Sequence, residues 1–416
     1  GMVDTLMLSS VNDQAVGAVG TANTYIGIFI IMFSVISSGM VAVMTQNIGA
    51  GRPGVAYQAR QLGLAFNAVL GVIMSLFLSL GAGTILSGVG VADALMQPAK
   101  TYLQIVGGFC ILNALIPICS SYLRAFGFSK EPLYASIIGN VINFCLNAFF
   151  LFVLHKGVAG VATATVISRI INLVIVVLLG AVLVKAKQHP ERESNRAVMG
   201  QIIRIGLPSA CETAIYNVSM TLVIRFLNQM DAQGLNVTAR SYTMQITNFS
   251  YCVGAALAQA NAIMTGWHIG AKEYDACDRG TRKAAIIGVI VAVILETMFA
   301  LCSGWIMQLF SKDPQMVSLV GKLLAIDIVL EMGRVTNLVY GQALKTSGDA
   351  VFPVVMGACF MILCSVGGTY LFGIRLGLLA VGAYIGMAGD ECVRAVGMYL
   401  RWKSGKWKEK GLVKSR

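Results

Sequence analysis

The chain has 416 residues, of which 56% are hydrophobic and only 12% charged, with a mean hydropathy of +0.75. That composition excludes a soluble globular domain, and the long unbroken apolar runs exclude a β-barrel, whose strands would alternate every second residue. In such a chain the formal net charge of +12 reports basic loops at a membrane face, not a nucleic-acid surface.

The opening GMVDTLMLSS reads as the end of a first membrane helix. Ten helical residues rise only about 15 Å, half of a ~30 Å hydrocarbon core. The stretch carries a carboxylate, Asp4, with Thr5 beside it and no local base. Nothing basic precedes it, so no cleavable signal peptide is expected. Further apolar stretches, bounded by Gly, Pro and charged clusters, follow at 15–47, 59–88, 95–123, 132–154, 158–184, 201–228, 236–266, 282–308, 315–344, 351–372 and 378–400. With the opening stub they predict twelve transmembrane helices in an all-α polytopic fold.

Basic residues fall on alternate loops: 21 lie on one set, including the tail, against Lys100, Lys156, Lys312 and Arg375 on the other. The positive-inside rule then places both termini and the 185–200 linker in the cytoplasm. The tail RWKSGKWKEKGLVKSR is expected to be solvated and to face lipid headgroups.

The sequence also repeats itself. Shifted by 221 residues, Ile48-Gly49-Ala50 falls on Ile269-Gly270-Ala271, Val72-Ile73 on Val293-Ile294, Gly83 on Gly304, and Leu123, Gly127 and Pro132 on Leu344, Gly348 and Pro353. The expected organisation is an N-lobe at 1–184, a linker at 185–200, a C-lobe at 201–402 and a basic tail at 403–416. An even helix count per lobe predicts a pseudo-two-fold axis along the membrane normal. The same register predicts that the first helix lacks its first half, about twenty residues.

Charges at bilayer depth are expensive and normally face a cavity or a partner. The tenth stretch is the densest, AIDIVLEMGRVTN. Asp327, Glu331 and Arg334 share one helical face at i,i+4 and i,i+3 spacing. Glu331 and Arg334 can neutralise each other, which leaves Asp327 as the sharper candidate, with Arg240 as a possible counter-charge from the eighth stretch. Glu212 follows Pro208 by one turn, where an opened backbone and a carboxylate suit a cation or proton; an ion pair is the alternative. Glu296 is expected to face the other lobe or to snorkel. Arg169, Asp390, Glu391 and Arg394 are expected to pair between the sixth and twelfth helices. Asn143 and Asn147, one turn apart, can bind substrate or join helices. Ten cysteines are scattered singly, so they read as small buried hydrophobes and not as ligands or disulfides.

The stretches VDTLMLSS, TQNIGAGRPGVA, LRAFGFSKEPLYASIIGNVINFCLNAFFLF, GVAGVATATVIS, GLPSACE, IGAKEYDAC and EMGRVTNLVYGQALKTSGDAVFP, taken together and in order, resemble the bacterial multidrug and toxic compound extrusion (MATE) transporters. The resemblance implies two six-helix lobes around a cavity that opens alternately to each side. It implies export of cationic or amphipathic compounds in exchange for H+ or Na+, with no cofactor, from the plasma membrane. It also implies a cation-coupling role for Asp4, the aspartate of the VDT motif. Three positions depart from family patterns. Asn147 stands where some members have an aspartate. Tyr216 stands where some carry the acid after the proline, Glu212 lying one turn earlier. Arg334 stands where some have an aspartate, Asp327 and Glu331 lying earlier on that helix.

The cation-coupling candidates are therefore Asp4, Glu212, Asp327 and Glu331, with Na+ a candidate ligand of Glu212 and Asp327. Asn143, Asn147, Arg240, Arg334 and Tyr216 are the candidates for the substrate cavity. The expected partners are small organic cations and the lipid bilayer, with no nucleic acid, and the expected state is monomeric. A flippase for a lipid-linked precursor is the alternative; it would want several basic residues facing the N-lobe cavity. A membrane-embedded enzyme is disfavoured, because His155, His189 and His268 sit at helix ends or loops and no HExxH, GxSxG or P-loop appears.

Overall fold

The computed structural model describes residues 7–8, 13–88, 91, 93–185, 189–231, 234–308, 310–311 and 313–413, so Asp4 lies outside the described residues. Thirteen α-helices are described: α1 (Asp13–Gly49), α2 (Pro53–Gly88), α3 (Asp93–Tyr102), α4 (Ile111–Ala125), α5 (Lys130–Ala148), α6 (Gly157–Leu183), α7 (Asn195–Met230), α8 (Leu235–Gly270), α9 (Tyr274–Leu301), the short α10 (Ser303–Met307), α11 (Pro314–Ser347), α12 (Val351–Phe360) and α13 (Leu379–Lys403). Wide π-helical turns extend α3, α5 and α12, so that the last of these spans runs to Arg375.

The 221-residue register is built into the helix ends. Shifted by it, α2 begins on the first residue of α9, and α3 on that of α11; α1 ends on the last residue of α8. Local signals set these limits. Asp313 caps α11 by accepting from the Gln315 amide at 2.9 Å, Pro314 follows at the first turn, and Gly348 stops the helix at φ 98°.

Six described helices are long and apolar enough to cross a membrane, and α3 with α4 makes a seventh as a pair bent by 43°. The expected continuous helix at 95–123 is therefore broken. The break lies at Gly108–Cys110, where the Ile111 amide donates to the Ser75 hydroxyl at 3.1 Å instead of continuing the ladder. Helices α7, α8, α11 and α13 have 36, 36, 34 and 25 residues, ample for a ~30 Å core at about 1.5 Å per residue. Their composition is less apolar because they carry the interior charges. Together these account for eleven of the twelve spans.

The chain divides into two compact units, 1–44 with 52–206, and 45–51 with 207–416. In the first, apolar packing centres on residues such as Leu78, Tyr102 and Leu103, and Asn67 ties helices by donating to the Phe33 and Ala114 carbonyls at 3.3 and 3.1 Å. Arg52, just ahead of α2, pairs with Glu193 at 2.6 Å, and Gln58 of α2 donates to the Glu193 carbonyl at 2.7 Å, which fastens the linker to α2.

In the second unit the basic tail keeps Lys403, Lys406 and Lys408 exposed, but it folds back on the helices instead of running free. Gly405 (φ 71°) turns the chain back after α13. Trp407 then stacks on Trp402 at 4.1 Å and donates to the Trp402 carbonyl at 2.9 Å; both rings are buried. The Leu412 amide donates to Gln46 Oε1 at 2.7 Å. The two indoles, five residues apart, bury their apolar rings while the lysine heads between and beside them stay in water.

Asp349 anchors this fold-back, accepting from Arg401 Nε at 2.7 Å and Lys410 Nζ at 2.9 Å. Burial pushes its carboxyl upward, but the bonds and charges of Arg401 and Lys410 outweigh that and hold it below the ordinary 3.8. A depressed carboxyl stabilises the fold above the unfolded-state value and loses that contribution as pH falls through the folded one. Asp349→Asn is therefore expected to cost about 2 kcal/mol at pH 7. Its melting temperature and that of the parent should converge as the pH is taken below 3.8. A gap that persists unchanged in acid would remove the charge from the account.

Candidate functional site

The interior charges of the 207–416 region collect on the facing sides of α9, α11 and α13. The i,i+3 and i,i+4 spacing brings the α11 groups to one face, and the same spacing does so on α13. Arg334 Nη1 donates to Glu331 at 2.8 Å, and its Nε lies 3.6 Å from Glu391. Glu391 also accepts from Asn337 at 3.0 Å and pairs with Arg394 at 2.9 Å. Arg394 in turn holds Asp390 through two bonds of 2.8 and 3.0 Å, with the Ser365 hydroxyl adding a third at 2.9 Å. The expected pairing between the sixth and twelfth helices is thus replaced by pairing within α13 and onto α11. The reason is geometric: Arg394 lies i,i+4 from Asp390 and i,i+3 from Glu391, so it reaches both without another helix.

Asp327 is 2% exposed and its Oδ2 has no hydrogen bond; Glu331 is fully buried with Oε1 likewise bare. Glu296 is also fully buried, with neither oxygen bonded. It neither snorkels nor reaches outward, because α9 packs this face against α8 and α11 and puts the carboxyl among Asp327, Glu331 and Arg334.

Two cavities open beside the cluster. One, of about 270 Å³, is lined by Arg240, Asp327, Asn248 and Tyr384 among others; the second, of about 250 Å³, by Glu212, Lys345, Asn337 and Glu391. Tyr216, Tyr251 and Arg334 line both. Arg240 is buried, its Nη2 reaching only the Met220 sulfur at 3.8 Å and its Nε unbonded. It shares the Asp327 cavity, as its suggested counter-charge role requires, but makes no ion pair with Asp327 among the bonds of the described residues. Glu212 pairs with Lys345 Nζ at 2.6 Å. Glu212 and Asp327 therefore line different cavities, and no three acid, His or Cys side chains converge as metal ligands among the described residues.

Asn143 and Asn147 lie in the other unit, where Asn147 Nδ2 donates to Asn143 Oδ1 at 3.3 Å and both are buried. The sequence pattern does not single out Lys345, Asn337 or Tyr251. Lys345 reads as a loop residue, although it stands in the last turn of α11, close enough to reach inward.

Two compact helical units, repeated helix ends and charges buried beside cavities at membrane depth define a multi-span membrane transporter. The MatE family model matches residues 1–149 and 208–371, and the chain belongs to this family of multidrug and toxic compound extrusion transporters. The uncharacterized transporter YisQ of Bacillus subtilis is 33% identical over 419 residues, covering 99% of this chain and 92% of that protein. The probable multidrug resistance protein NorM of Thermotoga maritima is 22% identical over 429 residues, covering 99% and 90%. A MATE crystal structure in the straight conformation superposes with a TM-score of 0.88 at 19% identity, covering 98% of this chain and 92% of that one.

Proposed function

We propose that this protein exports cationic or amphipathic organic compounds in exchange for H+ or Na+ across the plasma membrane, with both termini cytoplasmic. The carrying observation is the charge balance of the interior. Glu296, Asp327, Glu331, Asp390 and Glu391 supply two more carboxyls than Arg240, Arg334 and Arg394 supply guanidiniums. In a low-dielectric interior such an excess must be neutralised by protons or other bound cations. A coupling cation and a cationic substrate then compete for the same negative charge, and entry of one favours departure of the other. Asp327 and Glu331 are the central coupling acids, with Asp4 and Glu212 as further candidates. The tyrosines and methionines around Arg240 provide the apolar and aromatic wall that an amphipathic compound needs.

The test is ethidium transport into liposomes holding the full chain, with a pH gradient and a sodium gradient imposed separately. One gradient is expected to drive transport, and Asp327→Asn and Asp4→Asn to abolish it. Folded protein that moves no dye under either gradient would sink the exporter reading.

A further inference from the structure

Glu296 has no assigned work. It sits on α9, outside both cavity linings, fully buried and without a hydrogen bond to either oxygen. Its polar surroundings are Asp327, Glu331 and Arg334 from α11 and the Ser250 hydroxyl from α8, the one neutral group near enough to hydrogen-bond it, though no bond within 3.5 Å forms. Arg334 is the one cation among these groups, and it already serves Glu331 and Glu391. A carboxylate here would be an isolated negative charge facing two others.

The internal repeat makes the position informative. In the 221-residue register Glu296 corresponds to Ser75. Ser75 has a structural job, accepting the Ile111 amide where α3 and α4 break. The matching place in α11, Met332, lies in an unbroken helix. The second unit therefore has no backbone donor for residue 296 to satisfy, yet it carries an acid there. Asp327 is near enough for its charge to act on Glu296, and it also lines the 270 Å³ cavity, which Glu296 does not.

We propose that Glu296 is the inner proton store of the coupling site: it is protonated in this conformation and passes its proton through Asp327 to the cavity as an organic cation enters. This rests on the reading of the α11 acids as the coupling site. In the transfer, the O–H bond at Glu296 breaks and one forms at the bare Oδ2 of Asp327. That proton then leaves to cavity water, so one positive charge departs for each monovalent cation admitted. Glu296 thus becomes negative only when a replacement cation is present.

The test uses the full chain in nanodiscs and needs no transported compound. Infrared difference spectra between acidic and alkaline buffer are recorded for the parent, Glu296→Gln, Glu296→Asp and Asp327→Asn. The expected result is a buried carboxylic-acid band in the parent that is lost in Glu296→Gln and displaced in Glu296→Asp. In Asp327→Asn the band should persist, with slower exchange of its proton for deuterium. Parent and Glu296→Gln spectra that superimpose would overturn the proposal. If Glu296→Gln fails to fold, displacement of the band in Glu296→Asp decides instead, and an unmoved band overturns it. The liposome assay reads separately: a parent that ignores both gradients sinks the exporter reading whatever the infrared band does.

Discussion

Gly270→Ala is expected to leave little folded protein in the membrane, and Gly49→Ala to do the same. A Cβ on Gly270 would overlap the Gln46 carbonyl oxygen, and one on Gly49 would overlap the Trp267 carbonyl oxygen. Gln46 and Trp267 are themselves 221 residues apart, so the ends of α1 and α8 cross through one contact used twice, once from each repeat. The obstacles are backbone atoms of packed helices, which cannot swing aside as a side-chain tip can. Overpacking normally costs about 1–3 kcal/mol; displacing two backbones should exceed that. In a membrane, close backbone approach at small residues is also a principal source of helix association. The control is Gly280→Ala in α9, where nothing lies within 4 Å of the added Cβ. It should be neutral or stabilise by up to about 1 kcal/mol. Yield of monodisperse protein and melting temperature in detergent check both. Gly270→Ala protein that melts like the parent would show that this crossing is loose.

The same glycine pair is visible in the amino-acid sequence, as Ile48-Gly49-Ala50 lying on Ile269-Gly270-Ala271, but there it marks only a duplication. Its meaning as a crossing comes from the helices in place. A similar divide runs through the rest of the molecule. Helix limits are legible because Pro, Gly and charge punctuate them. The α11 charge cluster is legible because i,i+3 and i,i+4 spacing holds whatever surrounds the helix, whereas the partners of the α13 charges depend on which helix lies beside them. Helix rotation is not legible. Where a helix is apolar nearly all round, one carboxylate such as Glu296 can face lipid, core or a neighbour with the same local pattern. The break at Gly108–Cys110 is hidden for a related reason: it depends on the Ser75 hydroxyl reaching across from α2. The tail's lysines are exposed as its composition implies, but its path is hidden in the sequence because two stacked tryptophans decide where it goes.

Arg334→Gln should destabilise the protein by about 3 kcal/mol, the low end for breaking a buried pair, since its side chain is 21% exposed. The loss comes less from the missing attraction than from the charges left behind. Glu331 is fully buried and Glu391 nearly so, and both lean on this guanidinium at 2.8 and 3.6 Å. Glu391 keeps Arg394 and Asn337, so Glu331 is the group stranded. It follows that Arg334→Gln with Glu331→Gln should recover most of the lost stability, because the pair is then neutral and similar in volume. The single and double variants also separate two roles for Arg334. If it only balances charge, the double variant should regain ethidium binding together with its melting temperature. If it shapes the wall shared by the two cavities, as its place beside Tyr216 and Tyr251 in both linings suggests, stability should return while binding stays impaired. Melting curves and ethidium binding on the four members of the cycle distinguish these results. A single variant as stable as the parent would show that Arg334 is not what neutralises the α11 acids.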